Sequence, residues 1–137
     1  MLRILVVDDD TAVRGAIKVV LELDGHEVVL AANGRAGVDA VEAGKFDLVI
    51  CDIFMPGMDG IETITAFHRS NPQMPVIAMS GFTFRDGQTP APDYLSLSTK
   101  LGAAYSLRKP FRPGELLKAV RDCAANAERK GGLKAAG

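Results

Sequence analysis

Five polar residues of this 137-residue chain stand at the ends of short apolar runs. Asp8 and Asp9 follow Ile4 to Val7, Asp52 follows Leu48 to Cys51, Ser80 follows Val76 to Met79, and Lys109 follows Tyr105 to Arg108. If the carboxylates meet, they repel: two unit charges about 4 Å apart cost roughly 4 kcal/mol at an effective dielectric of about 20. Such a cluster calls for a cation. An all-oxygen, partly hydrated ligand set suits a hard divalent ion, and Mg²⁺ in particular takes one or two carboxylates together with waters and phosphate oxygens. Lys109 would add a second positive charge, while the Ser80 hydroxyl and backbone amides around Gly81 would donate to an anion. Together these groups fit phosphoryl transfer, in which metal and lysine neutralise the phosphoryl oxygens while a carboxylate attacks in line. Taken singly, each has an ordinary explanation: a helix cap with solvated acids, a loop hydroxyl, a surface lysine before a proline. The specificity lies in their falling at the ends of four different strands.

For these residues to converge, the strands must lie parallel in one open sheet, whose carboxyl ends share an edge where such folds bind ligands. The chain has that pattern. Apolar β-branched runs of the kind buried on both faces alternate with segments of helical spacing. The first helix carries Val13, Ile17, Val20 and Leu21, with Asp10 or Thr11 as its cap and Asp24-Gly25 as its stop. Val28 to Ala31 forms the second strand, and Asn33-Gly34 turns into a helix carrying Ala36, Val38 and Val41. Ile61, Ile64 and Phe67 mark a third helix ending near Asn71-Pro72. Gly81 to Pro92 is irregular, Asp93 to Leu101 reads as a fourth helix, and Pro113 opens a last one with Leu116, Leu117, Val120, Cys123 and Ala127 on one face. Beyond Arg129, Lys130-Gly131-Gly132 predicts a loose tail.

Composition points to one globular domain with a core large enough to need no staple. Sixteen basic and seventeen acidic residues leave a net charge of −1, which favours neither nucleic acid nor an anionic membrane as a partner. The charge is unevenly spread: residues 1–99 hold 7 basic and 14 acidic side chains (−7), and residues 100–137 hold 9 and 3 (+6). Cys51 and Cys123 read as reduced core residues, and His26 and His68 as isolated histidines without metal-ligand spacing. The opening Met-Leu-Arg-Ile-Leu-Val-Val meets three aspartates before it could form a signal-peptide core, so a cytoplasmic location without membrane insertion is expected.

Four stretches carry a family resemblance. Ile4 to Asp10, Asp52-Ile-Phe-Met-Pro-Gly-Met-Asp-Gly, Met79-Ser80-Gly81 and Arg108-Lys109-Pro110-Phe111 together resemble the receiver domain of bacterial two-component response regulators, over nearly the whole chain. The resemblance implies an α/β fold: a doubly wound, five-stranded parallel sheet of order 2-1-3-4-5 with five helices, flavodoxin-like, with the receiver over residues 1–128 and a flexible tail over 129–137. It implies Asp52 as phosphoacceptor and Asp8, Asp9, Asp52 and the Phe54 backbone carbonyl as Mg²⁺ ligands. Ser80 becomes the switch hydroxyl, Lys109 the companion lysine, and the Gly81 amide a phosphoryl contact. The implied role is signalling rather than turnover. A sensor histidine kinase or histidine phosphotransfer protein donates the phosphoryl group, and a downstream target protein reads a switched surface, with no direct nucleic-acid contact.

Three features depart from the family pattern. Ser106 stands where receivers commonly have an aromatic residue, and the neighbouring Tyr105 should point to the opposite side of its strand. The segment after Ser80 is long, swelling the loop Phe82 to Ala91. Phe54 and Phe82 occupy positions that tune dephosphorylation, and two bulky rings there predict a long-lived phosphorylated state. Competing readings are a degenerate receiver acting only as an interaction module, and a haloacid-dehalogenase-type aspartyl phosphatase. Asp8 and Asp10 mimic half of the phosphatase's opening motif, but Ala12 stands where it has threonine or valine. A flavin or nucleotide module is disfavoured by the aspartates, which would repel a phosphate.

Overall fold

Five short strands, four of them rich in Val, Ile and Leu, form the centre of the molecule, and their apolar side chains point alternately toward helices on the two faces. The computed structural model describes residues 1–53, 60–80, 105–108 and 110–136, and the side chains of all of these except 60, 61, 80 and 126–136. In chain order the elements are β1 (Arg3–Val7), α1 (Thr11–Leu23), β2 (Glu27–Ala31), α2 (Gly34–Ala43), β3 (Leu48–Asp52), α3 (Gly60–Ser70), β4 (Val76–Ser80), β5 (Tyr105–Arg108) and α4 (Pro113–Ala136). The strands pair in parallel in the order β2-β1-β3-β4-β5, the order that the resemblance implies. The helix predicted over Asp93–Leu101 lies outside the described residues, which hold the other four of the five expected helices. Helix α4 runs on to Ala136, past the Arg129 boundary predicted for a loose tail. Two glycines weaken a helix by about 1 kcal/mol each, which is not by itself a stop signal.

The period-two alternation of the strands sorts the core into two layers. Leu5, Val7, Val49, Cys51, Val76 and Ala78 pack with Val41, Phe46, Ile64 and Phe67 on the face covered by α2 and α3. Ile4, Val6, Leu48, Ile50, Ile77, Met79 and Leu107 pack with Ile17, Leu21, Leu116, Val120 and Cys123 on the face of α1 and α4. Full burial of each large side chain is worth about 1.5–3 kcal/mol, so the register is strongly fixed. Tyr105 packs into the α1 and α4 layer with Leu107, which puts Ser106 on the other side of β5, as the alternation predicts. No helix among the described residues is long and apolar enough to cross a membrane.

Local signals set the helix ends. Asp10 caps α1, its carboxylate accepting from the amides of Ala12 at 2.8 Å and Val13 at 3.2 Å, and Thr11 is the first helical residue. Gly25, at φ +89°, takes the left-handed turn that ends α1 and that other residues adopt only with strain. Asn33 caps α2 through the Ala36 amide at 2.8 Å.

Candidate functional site

The site begins with strand register. Val7 lies opposite Cys51 in the parallel β1 and β3 pair, so Asp8 and Asp52 emerge level with each other at the carboxyl edge. The Asp8 amide donates to the Ala31 carbonyl at 3.2 Å, and the Ile53 amide donates to the Met79 carbonyl at 2.9 Å. Both bonds extend the sheet by one residue and hold the two aspartates on rigid backbone. Asp9 follows in the turn that leads into α1. One carboxylate oxygen from each of Asp8, Asp9 and Asp52 lies within 4.8 Å of the others. Asp8 is fully buried and Asp52 is 4% exposed, whereas Asp9 is exposed and forms the open side of the group.

Burying carboxylates beside one another opposes folding unless cations or hydrogen bonds compensate. Part of the compensation is local. Asp8 Oδ1 accepts from the Asp10 amide at 2.9 Å, and Arg14 donates from Nη1 to the Asp8 carbonyl at 2.6 Å and from Nη2 to the Thr11 hydroxyl at 3.2 Å. Arg14 was not among the residues predicted for the site. A signal for it exists in the sequence, since a cation in the first turn of a helix opposes the helix dipole and needs a separate reason to be there. The all-oxygen set is suited to a hard divalent cation, which would neutralise the remaining charge.

Cys51, adjacent to Asp52, adds no nucleophile. Burial chiefly, then the negative charges of Asp52 and Asp8, push its thiol far above the ordinary range, and its S–H points to the Asp52 carbonyl at 3.4 Å. Burial also pushes the Cys123 thiol up to about 11, and both cysteines are free. The histidines are tied to the backbone. His26 Nδ1 accepts from the Leu2 amide at 3.1 Å, and His68 Nε2 meets the Met74 carbonyl at 3.1 Å.

Of the residues predicted for the site, the structure therefore brings Asp8, Asp9 and Asp52 together. Ser80 ends β4 in register with Arg108 of β5, which puts its backbone on the same edge of the sheet. Phe54, Gly81 and Lys109 lie outside the described residues, as do Phe82 and the rest of the loop to Ala91.

An acidic cluster at this edge of a 2-1-3-4-5 sheet is matched at the family level: the model of the response regulator receiver domain fits residues 4–121. The chain belongs to this family. The receiver is 33% identical over 118 residues to the transcriptional regulatory protein YkoG of Bacillus subtilis, covering 86% of this chain and 49% of YkoG. It is 35% identical over 119 residues to the response regulator MprA of Mycolicibacterium vanbaalenii, covering 87% and 48%. The receiver thus spans about half the length of these relatives. Among solved structures, a CheY-like receiver domain protein from Methanospirillum hungatei superposes with a TM-score of 0.84 at 32% identity, over 94% of this chain and 98% of that one.

Proposed function

We propose that this receiver accepts a phosphoryl group on Asp52 from a phosphohistidine of a sensor kinase or phosphotransfer protein, with Mg²⁺ held by Asp8, Asp9, Asp52 and the Phe54 carbonyl. The observation that carries the reading is the convergence of three carboxylates within 4.8 Å, two of them buried, at the ligand edge of the sheet. A nearly buried carboxylate on rigid backbone, opening toward the exposed Asp9, is suited to in-line attack from a fixed position. In the transfer, an Asp52 oxygen forms a bond to phosphorus as the bond from phosphorus to the donor imidazole nitrogen breaks. The electron pair stays with the imidazole, and the product is an acyl phosphate. Bound Mg²⁺ would supply charge neutralisation for the carboxylates and the phosphoryl oxygens. Lys109 contributes the second cation, and the Ser80 hydroxyl and Gly81 amide donate to the phosphoryl oxygens.

Once formed, the acyl phosphate adds hydrogen bonds to Ser80 and Lys109 that the free protein lacks, biasing a two-state surface read by a downstream protein. Attack of water at phosphorus regenerates the carboxylate and resets the switch. The chemistry is single-event signalling by the protein on itself, and a cytoplasmic location belongs to the same reading. The names of the longer relatives attach transcriptional regulation to those proteins; for this chain the reading ends at phosphorylation and a protein-binding surface.

Incubation with a small-molecule phosphodonor and Mg²⁺, followed by intact-mass measurement, tests the reading. The wild type should gain one phosphoryl adduct, and Asp52→Asn none. An equal adduct on Asp52→Asn would refute the assignment, and rapid consumption of the phosphodonor with no adduct accumulating on the wild type would favour the phosphatase instead.

A further inference from the structure

Two peptide units flank Asp9, and each is held by a hydrogen bond. The first carries the Asp8 carbonyl, which accepts from Arg14 Nη1 at 2.6 Å; the second carries the Asp10 amide, which donates to Asp8 Oδ1 at 2.9 Å. Because the soft torsions of a residue lie between its two peptide planes, fixing both planes fixes φ and ψ of Asp9. The direction in which the Asp9 side chain leaves the backbone is then set, and its exposed carboxylate starts from that fixed point with no hydrogen bond to a described side chain. The guanidinium is itself anchored. Nη2 meets the Thr11 hydroxyl at 3.2 Å, and the Arg14 amide donates to the Asp10 carbonyl at 3.0 Å within the first turn of α1. One end of the arrangement is therefore a helix and the other a strand end.

We propose that Arg14 is a positioning residue for Asp9, holding the exposed arm of the acidic cluster in the direction that a divalent cation needs. The inference rests on the reading of Asp8, Asp9 and Asp52 as metal ligands. Charge alone predicts the opposite of positioning. A guanidinium near the cluster repels a metal cation, so its removal by a purely electrostatic argument tightens metal binding. Loss of an outer-shell hydrogen bond that orients a ligand weakens it, typically by 10- to 100-fold. The sign of the change separates the two.

The test is calorimetric titration of Mg²⁺ into the full chain at low ionic strength, with folding of every variant checked by circular dichroism. Arg14→Met keeps the apolar stem that packs along the helix while removing both donors and the charge. It should bind Mg²⁺ about tenfold more weakly than wild type or worse. Arg14→Lys restores one donor able to reach the Asp8 carbonyl and should recover part of the loss. Asp9→Asn is the control for the underlying reading and should lose most of the binding. Arg14→Met binding as tightly as wild type, or more tightly, overturns the inference and leaves the metal site standing. Absence of binding by wild type, or unchanged binding by Asp9→Asn, overturns the metal site itself and the inference with it.

Discussion

The two edges of the sheet use charge in opposite ways. At the amino edge the first residues of adjacent strands pair by sign: Arg3 Nε lies 2.7 Å from Glu27, its amide donates to Asp47 Oδ2 at 2.8 Å, and Nη1 donates to the Lys45 carbonyl at 2.9 Å. The same guanidinium stacks 4.7 Å from the centre of the Phe46 ring. Nearby, Asp24 lies 3.5 Å from Arg121 and 3.3 Å from His26. At the carboxyl edge three charges of one sign are gathered instead, two of them out of water. Opposite charges at a strand start stabilise the fold modestly, whereas like charges at a strand end oppose it. The second arrangement is explicable as a function that needs the charge, with stability supplied elsewhere.

This contrast should be visible in stability measurements, most strongly through the metal. With Mg²⁺ at about 100 times its dissociation constant, a site present only in the folded state adds about 2.7 kcal/mol. Wild type should show that gain as a rise in thermal midpoint, and Asp9→Asn should lose most of it. In the absence of Mg²⁺, Asp9→Asn should be as stable as wild type or slightly more so, because one of the mutually repelling charges is gone. An identical Mg²⁺-induced rise in both proteins would break the comparison, since the carboxyl edge would then not be the place where the cation acts.

The two edges also differ in how far the sequence exposes them. Asp8, Asp9 and Asp52 are legible because Asp8 and Asp52 directly follow apolar runs, Asp9 comes next after Asp8, and parallel strands send their carboxyl ends to one side. The strand order came with the resemblance, since periodicity identifies strands without saying which are neighbours. The partners of Arg3 are out of reach in the same way: Glu27 and Asp47 are 24 and 44 residues away, and only the registers Arg3 to Glu27 and Ile4 to Leu48 make them adjacent. Arg14 is half legible: a cation in the first turn of α1 is a signal that it has a task, but its acceptor is a backbone carbonyl, which every residue possesses, so no residue type names the partner. The choice of Asp10 over Thr11 as the cap was likewise open from sequence, because both residue types cap well.

A second perturbation strains the carboxyl edge by shape instead of charge. A Cβ added to Gly37 of α2 would stand 2.8 Å from Val7 Cγ2 and 3.3 Å from Phe67 Cζ, and Val7 leads directly into Asp8. Alanine is favoured over glycine inside a helix by about 1 kcal/mol, which acts in favour of Gly37→Ala. Against it, overpacking a full core costs about 1–3 kcal/mol, and the β-branched Val7 has little rotamer freedom with which to yield. The clash should win, lowering stability by about 1 kcal/mol in urea unfolding. A stabilised Gly37→Ala would show that the layer between α2 and β1 has more room than the close approach implies.

The smallest effect belongs to the amino edge. The Arg3 and Glu27 side chains are 42% and 55% exposed, so their ion pair is screened and contributes at most about 1 kcal/mol. Stacking on Phe46 and the bond to the Lys45 carbonyl add contacts that salt screens less. Arg3→Ala should therefore lower the unfolding free energy by about 1 kcal/mol at low ionic strength, and by less in high salt without the difference vanishing. Its Mg²⁺-induced rise should equal that of wild type, because its partners among the described residues, Glu27, Lys45, Phe46 and Asp47, all lie at the amino edge. A loss of metal response in Arg3→Ala would mean that the two edges are coupled through the strands, and their contrasting use of charge would then be one connected system.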